Sequence, residues 1–181
     1  MNDVIEAPFN KMLYRPCIIV STLCSNGVSN AAPFSFNSPA TTKPPTYGFC
    51  CETTHDTLWN IKDNKEFVVN LVDESFGPLM RDLSRDLRYG VSEITETGLS
   101  EAPSKAVKPP RIGEAYGWIE CRLKEIVELS PQAVWIFGEV LESEIRSDLY
   151  NSVVDVEKVK PLQHIWGENY VVGGVPKKYM R

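Results

Sequence analysis

Residues 29–49, SNAAPFSFNSPATTKPPTYGF, are the stretch on which the prediction of the fold depends. The stretch begins with small residues, passes two Phe and a run of Ser, Thr and Asn side chains, and ends at Pro44-Pro45 before a new apolar run. Its centre shows neither the alternation of a strand nor the repeat of a helix. We therefore expect a loop rich in hydrogen-bonding groups between two strands.

The segments on either side of this stretch predict a chain built mainly of strands. Residues 17–23, CIIVSTL, are β-branched and apolar, and the Asn26-Gly27 turn predicts a hairpin with a return strand at 28–34. Further strands are predicted at 46–51, 67–72, 118–123 and 135–140, helices at 56–64 and 75–88, and a surface loop at 99–112. Strands outnumber helices, which favours a mainly β fold, an antiparallel barrel with a few peripheral helices.

Length and charge limit the classes of function. The 181 residues predict a single domain over 1–181. A net charge of −5 gives no reason to expect nucleic acid or a membrane as partner, and no apolar run has the length of a membrane span. The first residues, MNDVIEAPFN, lack the cationic start of a secretory signal, so we expect a cytoplasmic protein.

Several common catalytic motifs are absent from the sequence. There is no GxGxxG or Walker loop and no GxSxG, and histidine occurs only at positions 55 and 164. The five cysteines show no CxxC spacing, so no metal site is predicted. This pattern favours a cofactor that supplies its own chemistry.

Residues 52–61, ETTHDTLWNI, predict a helix start rich in hydroxyl groups. The first turn of a helix has unpaired N–H groups and a dipole that attracts anions, so this start is a candidate phosphate site. The same residues also fit an ordinary capped helix that binds nothing, and the stretch alone leaves both interpretations open.

Taken together, these stretches resemble the flavin reductase-like family of flavoredoxin-type proteins. The motifs occur in the family's order and close to its spacing: NAAPFSF at 30–36, PP at 44–45, HDTLWNI at 55–61 and FVVN at 67–70. The resemblance covers residues 12–72 well and the rest of the chain more loosely. It implies an antiparallel Greek-key split β-barrel that binds FMN.

The resemblance also implies which residues hold the flavin. The ribityl chain and ring edge are expected against residues of the polar loop, namely Asn37, Ser38, Pro39, Ala40 and Thr41. The phosphate is expected at the helix start near Thr54, His55 and Thr57, with Asp56 counted among the flavin-binding residues. Where the family usually has Lys, this chain has His55, which donates a hydrogen bond but carries a charge only when protonated.

Other residues of the two stretches are given supporting roles. Asn30 and Pro33 are expected to shape the hairpin, and Phe34 and Phe36 to lie in the barrel core. For the segment around His164 and Trp166 two interpretations stay open: it covers the flavin of the same or a neighbouring subunit, or it simply docks the tail.

The function implied by the resemblance is that of an NAD(P)H-dependent, FMN-binding flavin reductase. Hydride would pass from a nicotinamide to the flavin and then to an acceptor, which requires no protein acid or base, so no catalytic residue is named. The alternatives are a non-catalytic FMN-binding electron carrier or flavin-storage protein, and a split barrel that has lost flavin. The resemblance further implies a homodimer, to which the aromatic content of 10% gives independent support.

Overall fold

The largest element of the fold is an antiparallel sheet of seven strands, seen in a computed structural model that describes residues 3–179. The strands of the chain are β1 Arg15–Pro16, β2 Ile18–Leu23, β3 Ser29–Phe34, β4 Asn37–Thr42, β5 Pro45–Glu52, β6 Glu66–Leu71, β7 Glu101–Ala102, β8 Arg111–Ile112, β9 Gly117–Ser130, β10 Ala133–Ile145, β11 Tyr150–Asn151, β12 Val153–Val154, β13 Leu162–Trp166 and β14 Asn169–Val172. The α-helices are α1 Asp56–Asn64, α2 Met80–Leu83, α3 Glu93–Glu96 and α4 Val156–Val159, and 3-10 helices cover Phe9–Lys11, Glu74–Leu79 and Ser147–Leu149.

The strand order of this sheet is β3-β2-β6-β9-β10-β5-β4. Since β5 precedes β6 in the chain but lies beyond β10, the order β6-β9-β10-β5 is that of a Greek key. The two edge strands, β3 and β4, are joined directly through Ser35 and Phe36, and the Cys50 N–H donates to the Phe36 carbonyl at 2.8 Å. The sheet therefore curls until its edges meet, and the predicted mainly β barrel is confirmed.

Aromatic side chains fill the interior of the barrel. The Phe49 ring lies 4.8 Å from the Phe34 ring and 5.5 Å from the Phe67 ring, centroid to centroid. Ile18 and Val20 of β2 point into the same core, while Ile19 points outward into a second one. Both faces of β2 are thus buried, which explains why its sequence is continuously apolar rather than alternating.

The second core lies outside the barrel, against the β2–β3 hairpin. It is formed by Ile19 and Ala31 from the strands and by Phe76, Met80 and Leu83 from the segment that follows β6. Burial of each large side chain contributes about 1.5–3 kcal/mol. This packing holds the end of α2 beside the outer face of β3.

One predicted loop is a strand. Residues 37–42 form β4, which pairs with β5 from Asn37↔Phe49 to Thr42↔Pro45. The exposed side chains of β4 remove the alternation that sequence analysis needs, and Pro39 is tolerated because β4 is an edge strand with an irregular register after this residue. The expectation of a loop here was wrong, because backbone pairing outweighs the weak local propensity.

The helix predicted over residues 75–88 is also wrong in its extent. A 3-10 helix covers Glu74–Leu79, α2 covers only Met80–Leu83, and residues 84–88 are irregular. Pro78 lies inside the 3-10 helix, where it has no N–H to donate. The irregular residues form one wall of the cleft described below.

The later strands are longer than the sequence indicated. Strands β9 and β10 run to 14 and 13 residues, with register irregularities that include one between Phe137 and Gly138. The predicted loop at 99–112 contains the short paired strands β7 and β8.

Of the two Phe side chains expected in the barrel core, only Phe34 is buried. Phe36 is 43% exposed, and its ring centroid lies 4.6 Å from the Arg15 guanidinium. The placement of Phe36 in the core was therefore wrong.

Candidate functional site

A cleft of about 430 Å³ opens between β3, the start of α1 and the irregular segment after α2. This volume lies within the range of small-molecule sites, roughly 300–1,000 Å³. The residues that line it are Asn30, Ala31, Ala32, Pro33, Thr54, His55, Asp56, Thr57, Leu83, Ser84, Arg85, Asp86, Leu87 and Glu93. Strand, helix start and loop thus converge on one concave surface.

The N-terminus of α1 faces this cleft without a side-chain cap. His55 is the N-cap residue, with extended backbone angles of φ −77° and ψ 138°, and its side chain makes no capping hydrogen bond. The side-chain cap that the interpretation as an ordinary capped helix assumes is therefore absent at His55. Because the first N–H groups of a helix have no partner within it, they are available to an anion in the cleft.

His55 also lines the cleft, but its ring lies nearest to protein groups on one side. Its Nε2 is 3.8 Å from Glu52 Oε2, and its Nδ1 is 4.0 Å from Cys51 Sγ. Both distances exceed those of a normal hydrogen bond to nitrogen or oxygen. The half-exposed imidazole is therefore held loosely and can turn toward a ligand.

A chain of polar side chains fixes α1 against the hairpin behind the cleft. Asn30 Oδ1 accepts hydrogen bonds from the hydroxyls of Thr22 at 3.2 Å and Thr57 at 3.3 Å. Asn60 donates to Thr22 Oγ1 at 3.0 Å and accepts from the Tyr89 hydroxyl at 3.2 Å. Thr57 is thus turned toward the protein interior, where it positions the helix start.

Carboxylates give the cleft an acidic side. Glu93 is buried, and its Oε2 accepts hydrogen bonds from the Ala31 N–H at 2.9 Å and the Asn30 amide at 3.1 Å. Burial raises the pKa of Glu93 despite these bonds. Burial and the nearby Asp86 likewise raise the pKa of Asp56. Each of these two carboxyl groups therefore stays protonated to a higher pH than it would in water.

The residues predicted to bind a flavin separate into two groups. Thr54, His55, Asp56 and Thr57 line the cleft together. The second group, Asn37, Ser38, Pro39, Ala40 and Thr41, lies on β4 and is absent from the residues that line the cleft.

The polar side chains of β4 bond within the chain. Asn37 donates to the Pro16 carbonyl at 2.9 Å and accepts from the Tyr47 hydroxyl at 2.6 Å. Ser38 donates to the Pro39 carbonyl. These groups therefore stabilise the edge of the barrel in the isolated chain.

Sequence reasoning missed much of the cleft wall. Asn30 and Pro33 line the cleft, although they were expected only to shape the hairpin. Residues 83–87 and Glu93 were not predicted at all, since part of this segment was expected to be helical. The NAAP motif was the available signal for β3, whereas no local pattern distinguishes the irregular wall.

A smaller chamber of about 130 Å³ adjoins the cleft, since both are lined by Pro33 and Ser84. His164 forms part of its wall, with Nδ1 3.1 Å from Ser35 Oγ and Nε2 3.1 Å from the Gly167 carbonyl. Because a carbonyl can only accept, Nε2 donates to Gly167, and in the neutral imidazole Nδ1 then accepts from Ser35. Trp166 is 43% exposed, so the tail docks through Leu162 rather than through this ring.

Burial makes the two adjacent thiols of β5 poor nucleophiles. Cys51 is buried, which raises its pKa to about 12, while burial also raises the pKa of the partly exposed Cys50. Among residues 3–179, no three His, Cys, Asp or Glu side chains form a metal-binding group. Within the same range, no helix is long and apolar enough to cross a membrane.

The chain belongs to the flavin reductase-like family. The model of the flavin reductase like domain matches residues 11–165, which confirms the resemblance and places the chain in a family of flavin-binding oxidoreductases. An uncharacterised protein of Aquifex aeolicus is 36% identical over 164 residues, covering 87% of this chain and 83% of that protein.

Two solved structures are similar over most of the chain. The 2-nitrobenzoate 2-nitroreductase NbaA of Pseudomonas fluorescens is 31% identical with a TM-score of 0.83, covering 92% of this chain and 84% of that one. A flavin reductase with a split barrel domain from Shewanella frigidimarina is 17% identical with a TM-score of 0.86, covering 93% and 86%. The latter likeness concerns the fold alone, and it confirms the split barrel.

Proposed function

We propose that this protein is an oxidoreductase that binds FMN and uses NAD(P)H as its electron donor. The observation that carries the proposal is the uncapped start of α1 facing a cleft of about 430 Å³, which fits a ligand ending in a phosphate. FMN, when bound there, supplies the hydride and electron chemistry. The family match and the similarity to a nitroreductase support a role in reduction.

The chain's own residues would bind, orient and shield the flavin. The backbone N–H groups of Asp56 and Thr57 would donate hydrogen bonds to the phosphate. Thr54 and His55 would lie beside it. The backbone of 30–33 would form the floor, which the bond from Ala31 to Glu93 holds in place. No protein acid or base is assigned, because hydride transfer to a flavin needs none.

A homodimer is part of the proposal. Many large apolar side chains are exposed in this chain, including those of Phe9, Met12, Leu13, Tyr14 and Trp59, each at least 50% exposed. Exposed apolar side chains that lie together form interaction surfaces in soluble proteins, and these residues are candidates for such a surface. The edge residues Asn37, Ser38, Pro39, Ala40 and Thr41 would then contact the flavin bound to the neighbouring subunit. Light scattering at micromolar concentration tests this, and a monomer that binds FMN would contradict it.

An oxidation assay tests the enzymatic function. The protein with added FMN should accelerate the loss of NADH or NADPH absorbance well above the rate of free FMN. Ser84 lines the cleft and is exposed, so Ser84→Trp should block both binding and turnover. Arg88→Trp, in the same segment but outside the lining, is the matched control.

The same assay separates the alternative function. A protein that binds FMN tightly but oxidises neither nucleotide would be an electron carrier or a flavin-storage protein. Failure to bind FMN at all would contradict both functions. The cytoplasmic location stays a prediction of the sequence.

A further inference from the structure

We infer that Arg85 is the residue that makes this cleft selective for a flavin with a phosphate monoester. Arg85 belongs to none of the motifs that identify the family, and it lies in the irregular segment after α2. The inference rests on the proposed function, because it concerns how FMN is distinguished from flavins without the phosphate.

The charge of the cleft requires such a residue. Asp56, Asp86 and Glu93 all line it, and ionised carboxylates repel a phosphate monoester, which carries about −1.5 to −2 at neutral pH. The start of α1 offers only a partial positive charge. A full positive charge therefore strengthens the preference for the phosphate over a neutral hydroxyl.

Arg85 is the one permanently charged cation among the residues that line the cleft. The other basic lining residue, His55, lies beside a carboxylate, with its Nε2 3.8 Å from Glu52 Oε2. The guanidinium of Arg85 makes only a marginal ion pair, 4.0 Å from Asp82, and both side chains are more than half exposed. An exposed pair at this distance holds its partners weakly, so Arg85 can turn into the cleft.

The chemistry of arginine fits a phosphate monoester. Its planar guanidinium donates two parallel hydrogen bonds to a pair of phosphate oxygens, and it remains charged at every relevant pH. The phosphate would thus lie between the guanidinium on one wall and the N–H groups of α1 on the other. Arg81 and Arg88 are close in sequence but do not line the cleft.

The test is a comparison of FMN and riboflavin affinities by quenching of flavin fluorescence. In Arg85→Gln the dissociation constant for FMN should rise about tenfold or more, while that for riboflavin should change less than about twofold. Arg85→Lys should keep part of the FMN preference because it retains the charge. Arg88→Gln is the matched control and should resemble the wild type.

The possible outcomes distinguish a failure of the inference about Arg85 from a failure of the proposed function. If the wild type binds neither flavin, the proposed function falls together with this inference. If the wild type prefers FMN and Arg85→Gln keeps that preference, only the inference about Arg85 is overturned. If Arg85→Gln weakens both flavins equally, Arg85 shapes the wall rather than binding phosphate, which also overturns it. If the wild type binds both flavins equally, the phosphate is not recognised and the inference fails, although flavin binding stands.

Discussion

Glu93 Oε2 accepts a hydrogen bond from the backbone N–H of Ala31 at 2.9 Å, which ties α3 to the strand that forms the floor of the cleft. The carboxylate is buried, so this tie holds an ionisable group away from water. The geometry of the cleft is therefore coupled to the protonation of one side chain outside the family motifs.

The stability of the protein should reflect the raised pKa of Glu93. Burial disfavours the ionised form, so the folded protein holds this proton to higher pH than the unfolded chain does. The favourable contribution of Glu93 to the free energy of unfolding is present at low pH. It is lost as the pH rises through the raised pKa of Glu93. The melting temperature of the wild type should therefore fall relative to that of Glu93→Gln as the pH is raised from about 4.5, the ordinary value.

Glu96→Gln is the control for this comparison, since Glu96 is exposed on the same short helix. Its melting temperature should follow the wild type across the pH range. A difference between wild type and Glu93→Gln that is independent of pH would show that Glu93 does not titrate as described.

A second prediction concerns the buried ion pair between Arg111 and Glu120. Arg111 Nε donates to Glu120 Oε1 at 2.7 Å, and Glu120 is fully buried. Arg111→Met would leave the Glu120 charge buried without its partner, which should cost about 3–5 kcal/mol in the free energy of unfolding. Urea denaturation measures this loss.

The exposed pair of Arg146 and Asp148 provides the control. Arg146→Met should cost less than about 1 kcal/mol, because exposed pairs contribute little. Equal losses for Arg111→Met and Arg146→Met would mean that the buried pair does not hold β8 against β9.

The third prediction concerns Gly138, which lies where β10 shifts its register against β9. A Cβ at this position would lie 2.5 Å from Phe67 Cζ and 2.7 Å from Cys121 Cβ. Gly138→Ala should therefore overpack the barrel core and cost about 1–3 kcal/mol. Gly174→Ala, whose Cβ would meet nothing within 4 Å, should be nearly neutral in the same thermal or urea denaturation. A neutral Gly138→Ala would contradict the tight contact.

The fourth prediction concerns His55 at the start of α1. His55→Lys should hold or improve FMN affinity, whereas His55→Glu should weaken it about tenfold or more by placing like charge beside the phosphate. Lys62→Glu makes a change of charge in the last turn of the same helix and is the control. If fluorescence titration finds His55→Glu no weaker than Lys62→Glu, the phosphate does not lie beside His55.

Where local pattern and tertiary structure agree, the sequence was sufficient to predict the fold. The β2–β3 hairpin and α1 were predicted because a turn signal and helical periodicity are encoded within a few residues. Strand β4 was missed because its exposed Ser and Thr side chains carry no alternation, so only pairing with β5 defines it. Phe36 was misplaced since the chain leaves the barrel interior between β3 and β4, which no local pattern records.

The cleft was predicted only where a motif contributes to it. Thr54 to Thr57 were found through the helix start, which is a local feature. Arg85 and Glu93 reach the cleft because the second core packs α2 and α3 against the outer face of β3. Such long-range placement has no short sequence signal, so these residues required the structure.

A crystal structure of the protein with bound FMN tests the central claim most directly. We predict that FMN occupies the cleft between β3, α1 and the segment after α2. Its phosphate oxygens should lie about 3 Å from the backbone nitrogens of Asp56 and Thr57, the ordinary distance of a hydrogen bond. A flavin bound elsewhere on the barrel, with its phosphate away from the start of α1, would contradict the account.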